Sequence, residues 1–517
     1  MSTWSHGYNT EVPYTFGYYR ETDPVWLDFA ALITGFWPPE PRPKRPLRYV
    51  DMGCGQGFGL CLTASLHPEM EFVGVDFNPT HIAHAQGLAR RAGLGNVTFV
   101  EGDFVELGRA WPEALGRFDY VVFHGIWSWI AKPVREAAVS AVGRCLRPGG
   151  LVYNSYNAQP GWHAGSILRE LLMSVSHAEA DQMQLEALRR AIGVAKQLSE
   201  AGALVFRAYP GLGQRLQTIE KHDLRYVANE YINEAHAIFW GHEVVAEMAP
   251  AKLTLIASAT LPENFLPALL PRAQAELIER FTHPALRHLL IDLSINQAFR
   301  RDLYQRGVVQ ATRFPQLERL FTMRVLGLRA EKREAKFSLS FGEVSGREEM
   351  YGPLFELLDA EPMTLQEIQA RHPAKPNVFQ LVQSIAVSAW DNRVAFAASQ
   401  KDRQAAERTA RAFNAAVMQA QREGRFYNWL AAPAACQGVS ASTVEMLVLA
   451  AITLDGVPVA ETERIVGAVV RDADRLELKF EKDGQPLVGE AREAEIQAQV
   501  REVLEKRLPV WAHLGII

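Results

Sequence analysis

Asp51, Gly53, Gly55 and Gly57 stand at alternate positions at the end of a short apolar run, in YVDMGCGQGFG (49–59). Glycine costs conformational entropy and offers the core no side chain, so the cluster marks a sharp turn or a ligand lying against bare backbone. A phosphate-cradling loop of the GxxxxGK[ST] type needs a lysine, and none follows. A dinucleotide loop needs GxGxxG, but from Gly53 or Gly55 the third position holds Phe58 or Leu60. Neither template fits. About twenty residues after Gly57, EFVGVDF ends a second run in Asp76, where a carboxylate can accept both hydroxyl protons of a ribose. Taken alone, Asp76 could merely cap the helix that starts near Pro79. NVTFVEGDF then brings Asp103 to the end of a third run, where it alone would be an ordinary turn residue. Phe77 and Phe104 directly follow these two acids.

Aromatic residues gather at the ends of two later runs. HGIWSWI supplies His124, Trp127 and Trp129, and YNSYNAQPGWH supplies Tyr153, Tyr156, Asn157 and Trp162. The N-terminal YNTEVPYTFGYY adds Tyr8, Tyr14, Tyr18 and Tyr19, a segment able to fold over the glycine cluster as a lid. Aromatic faces host a cation or a neutral amine, and phenol oxygens accept its protons. Most aromatics simply pack, so the candidate chemical set is narrow: His124 at a strand end, with Tyr14 and Tyr156.

The elements that must position these residues alternate in type up to about Gly165. LRYVDMG, EFVGVDF, NVTFVEGD, FDYVVFHG and LVYNSYN read as strands. FGLCLTASLH, PTHIAHAQGLARRAG and VREAAVSAVGRCL read as helices between them. Repeated strand–helix units imply a parallel sheet with right-handed crossovers. From Ser166 to Phe239 the pattern is helical, and HEVVAEMAPAKLTLIASATL reads as a helix and then a strand that returns to the sheet. The stretch from Phe265 to Tyr304 reads as helical again, broken by prolines. The polar segment from Glu331 marks a boundary, followed by a winged-helix-like unit in which Thr364 is a helix N-cap. The final segment is mostly helical, with a hairpin turning at Asp483-Gly484.

Composition narrows the function classes. The chain has 517 residues, which at roughly 150 per domain suggests about three domains. Its net charge is -5 without a long basic run, which disfavours a sequence-independent grip on nucleic acid. The segment 363–397 resembles a helix–turn–helix, but NVFQLVQSIAVSAW carries no Lys or Arg before Arg393, unlike a groove-reading helix. No signal peptide and no apolar run of about 18 residues is evident, so a cytoplasmic protein without a membrane span is expected. Cys54, Cys61, Cys145 and Cys436 form no CxxC pair and fit neither a metal site nor a disulfide framework, so reduced thiols and no metal are expected.

The D-x-G-x-G-x-G loop, Asp76, Asp103, FDYVVFHG and LRPGGLVYNSYN, in that order, resemble class I S-adenosylmethionine-dependent methyltransferases. The resemblance implies that Asp51 lies near the amino end of the cofactor and that Gly53, Gly55 and Gly57 let the backbone run against its methionine and ribose portions. It implies Asp76 at the ribose, Asp103 at the adenine amino group, and Phe77, Phe104 and His124 completing the cofactor set. The product is S-adenosyl-L-homocysteine. Methyltransferases acting on exocyclic base amines or glutamine amides carry [DN]PP[YFW] where this chain has His124-Gly125-Ile126-Trp127, which disfavours those targets.

FHGIWSWI with YNSYNAQPGWH is similar to bacterial methyltransferases that carry an attached regulatory domain, a group that includes rickettsial protein lysine methyltransferases. YVANEYINEAHAIFWGHEV resembles that group's tyrosine-rich stretch, with Asn229 in place of its histidine. IDLSINQAFRRDL (291–303) and NWLAAPA extend the resemblance. It implies an α/β catalytic domain with a Rossmann-like sheet over 1–165 and a helical regulatory or dimerisation domain over 166–330, from which 252–260 rejoins the sheet. A winged-helix-like module would span 331–400 and a mostly helical domain 401–517. The expected acceptor is a lysine amine of a protein substrate, with possible homodimer formation. The alternative is N- or O-methylation of a small-molecule substrate beneath a helical lid.

Overall fold

The apolar run before the glycine cluster becomes the centre of a seven-stranded sheet. The computed structural model describes residues 16–40, 45–178, 184–329, 334–482 and 485–517. The strands are β1 (Arg48–Met52), β2 (Glu71–Asp76), β3 (Val97–Glu101), β4 (Phe118–Phe123), β5 (Leu146–Asn157), β6 (Leu253–Ser258) and β7 (Phe299–Arg306). Their order across the sheet is β3-β2-β1-β4-β5-β7-β6. The first five are parallel, and β7 runs antiparallel to both its neighbours. Helix α1 (Pro24–Ile33) precedes the sheet, and α2 (Phe58–Leu66), α3 (Pro79–Arg91), α4 (Phe104–Arg109) and α5 (Lys132–Cys145) connect the parallel strands. β1 lies between β2 and β4, so the chain reverses its direction of winding there and opens a crevice at the strands' carboxyl ends.

The expected return to the sheet is present as β6. The helical reading through Tyr304 is corrected at Phe299, where β7 begins and pairs Asn154 with Asp302 and Tyr156 with Arg300. Despite its charges, the strand FRRDLYQR is largely buried, because Arg300 is neutralised by Asp292 and Asp302 inside the protein.

Between β5 and β6 the chain forms α6 (His163–Ala178), α7 (Gln184–Glu200), α8 (Leu204–Ala208), α9 (Pro210–Ile219), α10 (Leu224–Tyr231) and α11 (Gly241–Met248). Leu168, Leu172, Leu188, Ala191, Leu216 and Val227 recur at helical spacing and close a core separate from the sheet's.

Farther along, strands Arg324–Gly327, Met363–Thr364 and Val394–Ala397 form a three-stranded sheet with helices Glu348–Ala360, Leu365–Arg371 and Val378–Trp390. Thr364 caps the second helix and forms a capping box with Glu367. Helix Val378–Trp390 buries Leu381, Ile385, Ala386 and Ala389, so it serves as packing. Helix Gln400–Arg422 then lies against α2, with Phe413 and Tyr427 meeting Phe58 at ring separations of 5.8 and 4.8 Å. One hydrophobic core thus runs from α1–α3 into the C-terminal helices. Strands Phe480–Lys482 and Gln485–Leu487 pair as a hairpin, while the Asp483-Gly484 turn lies outside the described residues.

Among the described residues no helix is long and apolar enough to cross a membrane, and no group of three or more His, Cys, Asp or Glu is placed to hold a metal. The four cysteines are free thiols.

Candidate active site

The loop from β1 to α2 needs glycine at two positions for identifiable reasons. Gly53 has φ +86° and a Cβ there would lie 2.4 Å from Ile126 Cδ1. Gly57, at φ +72°, is the residue before α2, and its Cβ would meet Ala85 Cβ at 2.4 Å and the Phe99 ring at 2.7 Å. Both positions combine a left-handed backbone with no room for a side chain. The N–H of Gly55, between them, donates to Asp76 Oδ2 at 2.9 Å.

Asp76 is more than a helix cap. Asn78 caps α3 by accepting from the Thr80 N–H, whereas Asp76 Oδ1 accepts from the Asn78 N–H at 2.9 Å and lies 3.2 Å from His81 Nδ1. Its carboxylate, 6% exposed, is pinned on the protein side and faces the cavity with its remaining lone pairs. Asp103 does take the local role, accepting from the Val105 N–H at 2.6 Å as the cap of α4, and it also lines the cavity. No described donor hydrogen-bonds the Asp51 carboxylate, and burial, with the Asp76 charge adding to it, pushes its pKa up to about 7. A carboxyl so placed lacks a cation. That deficit, the glycine cradle and Asp76 together fit a cofactor with an ammonium at one end and a ribose at the other.

These groups line a cavity of about 710 Å³. Asp51, Gly53, Gly55, Gly57, Phe77 and Phe104 wall one end. The other end is closed by the helical insertion, with Arg215, Tyr226, Glu230 and Tyr231 facing Trp129 and Trp162. Trp162 stacks under the Arg215 guanidinium at 4.5 Å and lies 5.8 Å from the Tyr231 ring.

His124 sits between the two ends. Its ring packs on Tyr19 at 3.7 Å, and its Nδ1 lies 3.0 Å from the Tyr153 hydroxyl. The Gly125 N–H donates to Ser155 Oγ at 2.9 Å, and Ser155 in turn hydrogen-bonds Tyr153. Running that chain forward, Ser155 donates to the Tyr153 oxygen and Tyr153 donates to His124 Nδ1, leaving the His124 hydrogen on Nε2. Burial holds the imidazole down at about 4. His124 is therefore a neutral donor and a poor proton acceptor.

The other expected residues divide. Tyr156 lines the wall, and its hydroxyl donates to Asp302 Oδ2 at 2.6 Å, which fixes its hydrogen on the protein side and leaves the oxygen's lone pairs. Tyr14 and Tyr8 lie outside the described residues. Tyr18 and Tyr19 both line the cavity, and the Tyr18 ring also packs on Trp429 of the C-terminal half. Trp127 is fully buried and donates to Glu247, a packing role. Asn157 lines the wall near Ser128. Asn229 is buried on α10, where its amide donates to the Arg225 carbonyl.

Sequence reasoning missed Glu21 and Arg301, which pair at 2.8 Å beside His124; Arg301 falls in the stretch that reads as helical, and nothing local signals Glu21. Glu230 had only its place in a tyrosine-rich helix to signal it. No local pattern pointed to Tyr427, which is remote in sequence.

A glycine loop at the switch point of a sheet ordered 3-2-1-4-5-7-6, with its seventh strand antiparallel, defines a class I S-adenosylmethionine-dependent methyltransferase. Residues 50–150 match the family model described as "Methyltransferase domain", and residues 223–306 match "Predicted methyltransferase regulatory domain". The chain belongs to the family of methyltransferases with this attached regulatory domain, and S-adenosylmethionine is its methyl donor. It is 31% identical over 519 residues to an uncharacterised protein of Synechocystis sp., covering 99% of this chain and 100% of that one. An uncharacterised protein of Rickettsia prowazekii is 28% identical over 246 residues, covering 47% of this chain and 95% of that one. Among solved structures, PKMT2 from Rickettsia typhi in complex with AdoHcy has the same fold, with a TM-score of 0.68 at 18% identity over 96% of this chain and 99% of that one.

Proposed function

We propose that the chain methylates a lysine amine of a protein substrate. The observation that carries this reading is the aromatic end of the cavity, where Trp129, Trp162, Tyr226 and Tyr231 enclose a space with one carboxylate, Glu230. The likeness to the rickettsial PKMT2 fold supports it. When bound, S-adenosylmethionine supplies an electrophilic methyl group. The protein's tasks are alignment, exclusion of water and delivery of a neutral amine. Neutralising a lysine at pH 7 costs about 4–5 kcal/mol from its ordinary pKa. Desolvation among aromatic rings, and the nearby Arg215 and Arg301 guanidiniums, all disfavour the ammonium form. His124, held neutral with its hydrogen on Nε2, positions by donating.

In this reading Gly53, Gly55 and Gly57 admit the cofactor's backbone-facing side, Asp76 holds its ribose, and Asp103 with Phe77 and Phe104 receives the adenine. Asp51 receives the ammonium. The insertion within 166–330 supplies the acceptor wall, and the modules over 331–400 and 401–517 provide docking surface for a large substrate.

The test is incubation of the purified protein with radiolabelled S-adenosylmethionine and fractionated lysate, with Asp76→Ala as the blank. Label in protein, mapped to lysine by mass spectrometry, is expected. Label confined to small molecules or nucleic acid would overturn the assignment.

Cofactor affinity is also expected to depend on pH through Asp51. The free protein keeps that proton up to about pH 7, whereas the carboxylate is the form that receives an ammonium. Below pH 7 the proton must leave on binding, so affinity falls by up to about tenfold per unit as pH drops and levels off above it. Calorimetry in buffers of different ionisation enthalpy should detect proton release near pH 6. A dissociation constant flat between about pH 5.5 and 7 would refute this role for Asp51.

A further inference from the structure

The C-terminal half reaches the glycine loop through a single file of hydrogen bonds. Tyr427, fully buried between helix Gln400–Arg422 and the strand Trp429–Ala432, places its hydroxyl 2.9 Å from His84 Nε2. His84, on α3, places Nδ1 2.8 Å from the carbonyl oxygen of Gln56. Gln56 is the residue between Gly55 and Gly57.

The direction of this file follows from its end. A carbonyl only accepts, so His84 carries its hydrogen on Nδ1. Burial lowers the His84 pKa, so Nε2 is bare and accepts from the Tyr427 O–H. The Tyr427 oxygen in turn takes a hydrogen bond from Arg425. Each donor thus has one acceptor. The rings are braced as well: Tyr427 stacks on Phe58 at 4.8 Å and 7°, and Phe16 packs 4.5 Å from Tyr427 and 5.2 Å from His84. Phe16 and Phe58 also line the cavity.

We propose that Tyr427 is a positioning residue for the cofactor loop, acting through His84 on the Gln56 carbonyl, so that the docked C-terminal module sets cofactor affinity. The loop needs such a restraint. Gly53, Gly55 and Gly57 all sit in left-handed backbone conformations, and three glycines so close together have many alternatives open to them. Binding pays for that freedom unless the free protein has already removed it. The proposal rests on the reading that this loop cradles the cofactor.

The test uses full-length Tyr427→Phe and His84→Phe, and the double variant. Tyr427→Phe keeps the ring that stacks on Phe58 and removes only the hydroxyl. Calorimetry should show S-adenosylhomocysteine binding weakened roughly five- to twentyfold in each single variant, the scale of losing one well-placed hydrogen bond. The double variant should be no weaker than the weaker single, because one file is broken once or twice with the same result. The cofactor KM should rise in step while kcat at saturation stays within about twofold, which separates positioning from catalysis. Without any ligand, amide exchange over 54–58 should be faster in Tyr427→Phe than in the parent, with the thermal midpoint moved by less than about 2 °C.

Unchanged loop exchange, or additive losses in the double variant, would overturn the proposal. Faster exchange with unaltered cofactor affinity would overturn it too, and would place the fault in the loop's assignment to the cofactor rather than in the hydrogen-bond file.

Discussion

Asp76→Ala is expected to weaken cofactor binding by about 1–3 kcal/mol, roughly five- to 150-fold. Two losses combine. The cavity-facing lone pairs that would accept ribose hydroxyls disappear. The internal anchor for the loop goes as well, since the Gly55 and Asn78 N–H groups and His81 all bond this one carboxylate. Asp76→Asn separates the two, because an amide keeps one acceptor oxygen for the protein side while losing charge and presenting a donor. Calorimetric titration of both variants should therefore rank parent, Asn and Ala in descending affinity. Affinity of Asp76→Ala within twofold of the parent would remove Asp76 from the cofactor site.

The largest stability effect is expected at Arg300, with a loss of about 3–5 kcal/mol in Arg300→Met. Its guanidinium, 7% exposed, lies between two buried carboxylates, with Nη1 2.6 Å from Asp292 Oδ1 and Nη2 2.9 Å from Asp302 Oδ1. Asp302 further accepts from the Tyr156 and Tyr304 hydroxyls at 2.6 and 3.0 Å. Methionine matches much of the volume but leaves both carboxylates without a counter-ion in a low-dielectric interior. Approach of the guanidinium also depends on Gly241, where a Cβ would lie 2.8 Å from Arg300 Cζ. The network ties β5, β7, α11 and the helix Pro284–Ser294 together, so its loss should loosen the insertion as well as the sheet. Urea unfolding of the full chain measures the effect, and a loss below about 1 kcal/mol would show that the pair is dispensable.

Much of the catalytic fold is legible along the chain. Short apolar runs ending in Asp51, Asp76 and Asp103 announce parallel strands, because a strand covered on both faces tolerates few polar residues until its carboxyl end. β7 is the instructive failure. Arg300, Arg301 and Asp302 fall in a stretch that reads as helical, and their burial in a strand is made possible by Asp292, on the preceding helix, and by Glu21, far away in sequence. Tyr156 is legible in part: its place at a strand end can be read, but the direction of its hydroxyl depends on Asp302 across the sheet.

The sequence by itself determined the strand–helix alternation, the glycine positions and the acids at the strand ends, because those depend on local backbone sterics and on a two-residue or 3.6-residue period. Tertiary structure alone decided which polar groups share a partner. It set the proton position on His124 through Ser155 and Tyr153, brought the insertion's aromatic wall over the crevice, and placed Tyr427 one histidine away from the cofactor loop. Hydrogen bonds and ion pairs are short-ranged and specific to direction, so they depend on where remote segments dock, which no local pattern encodes.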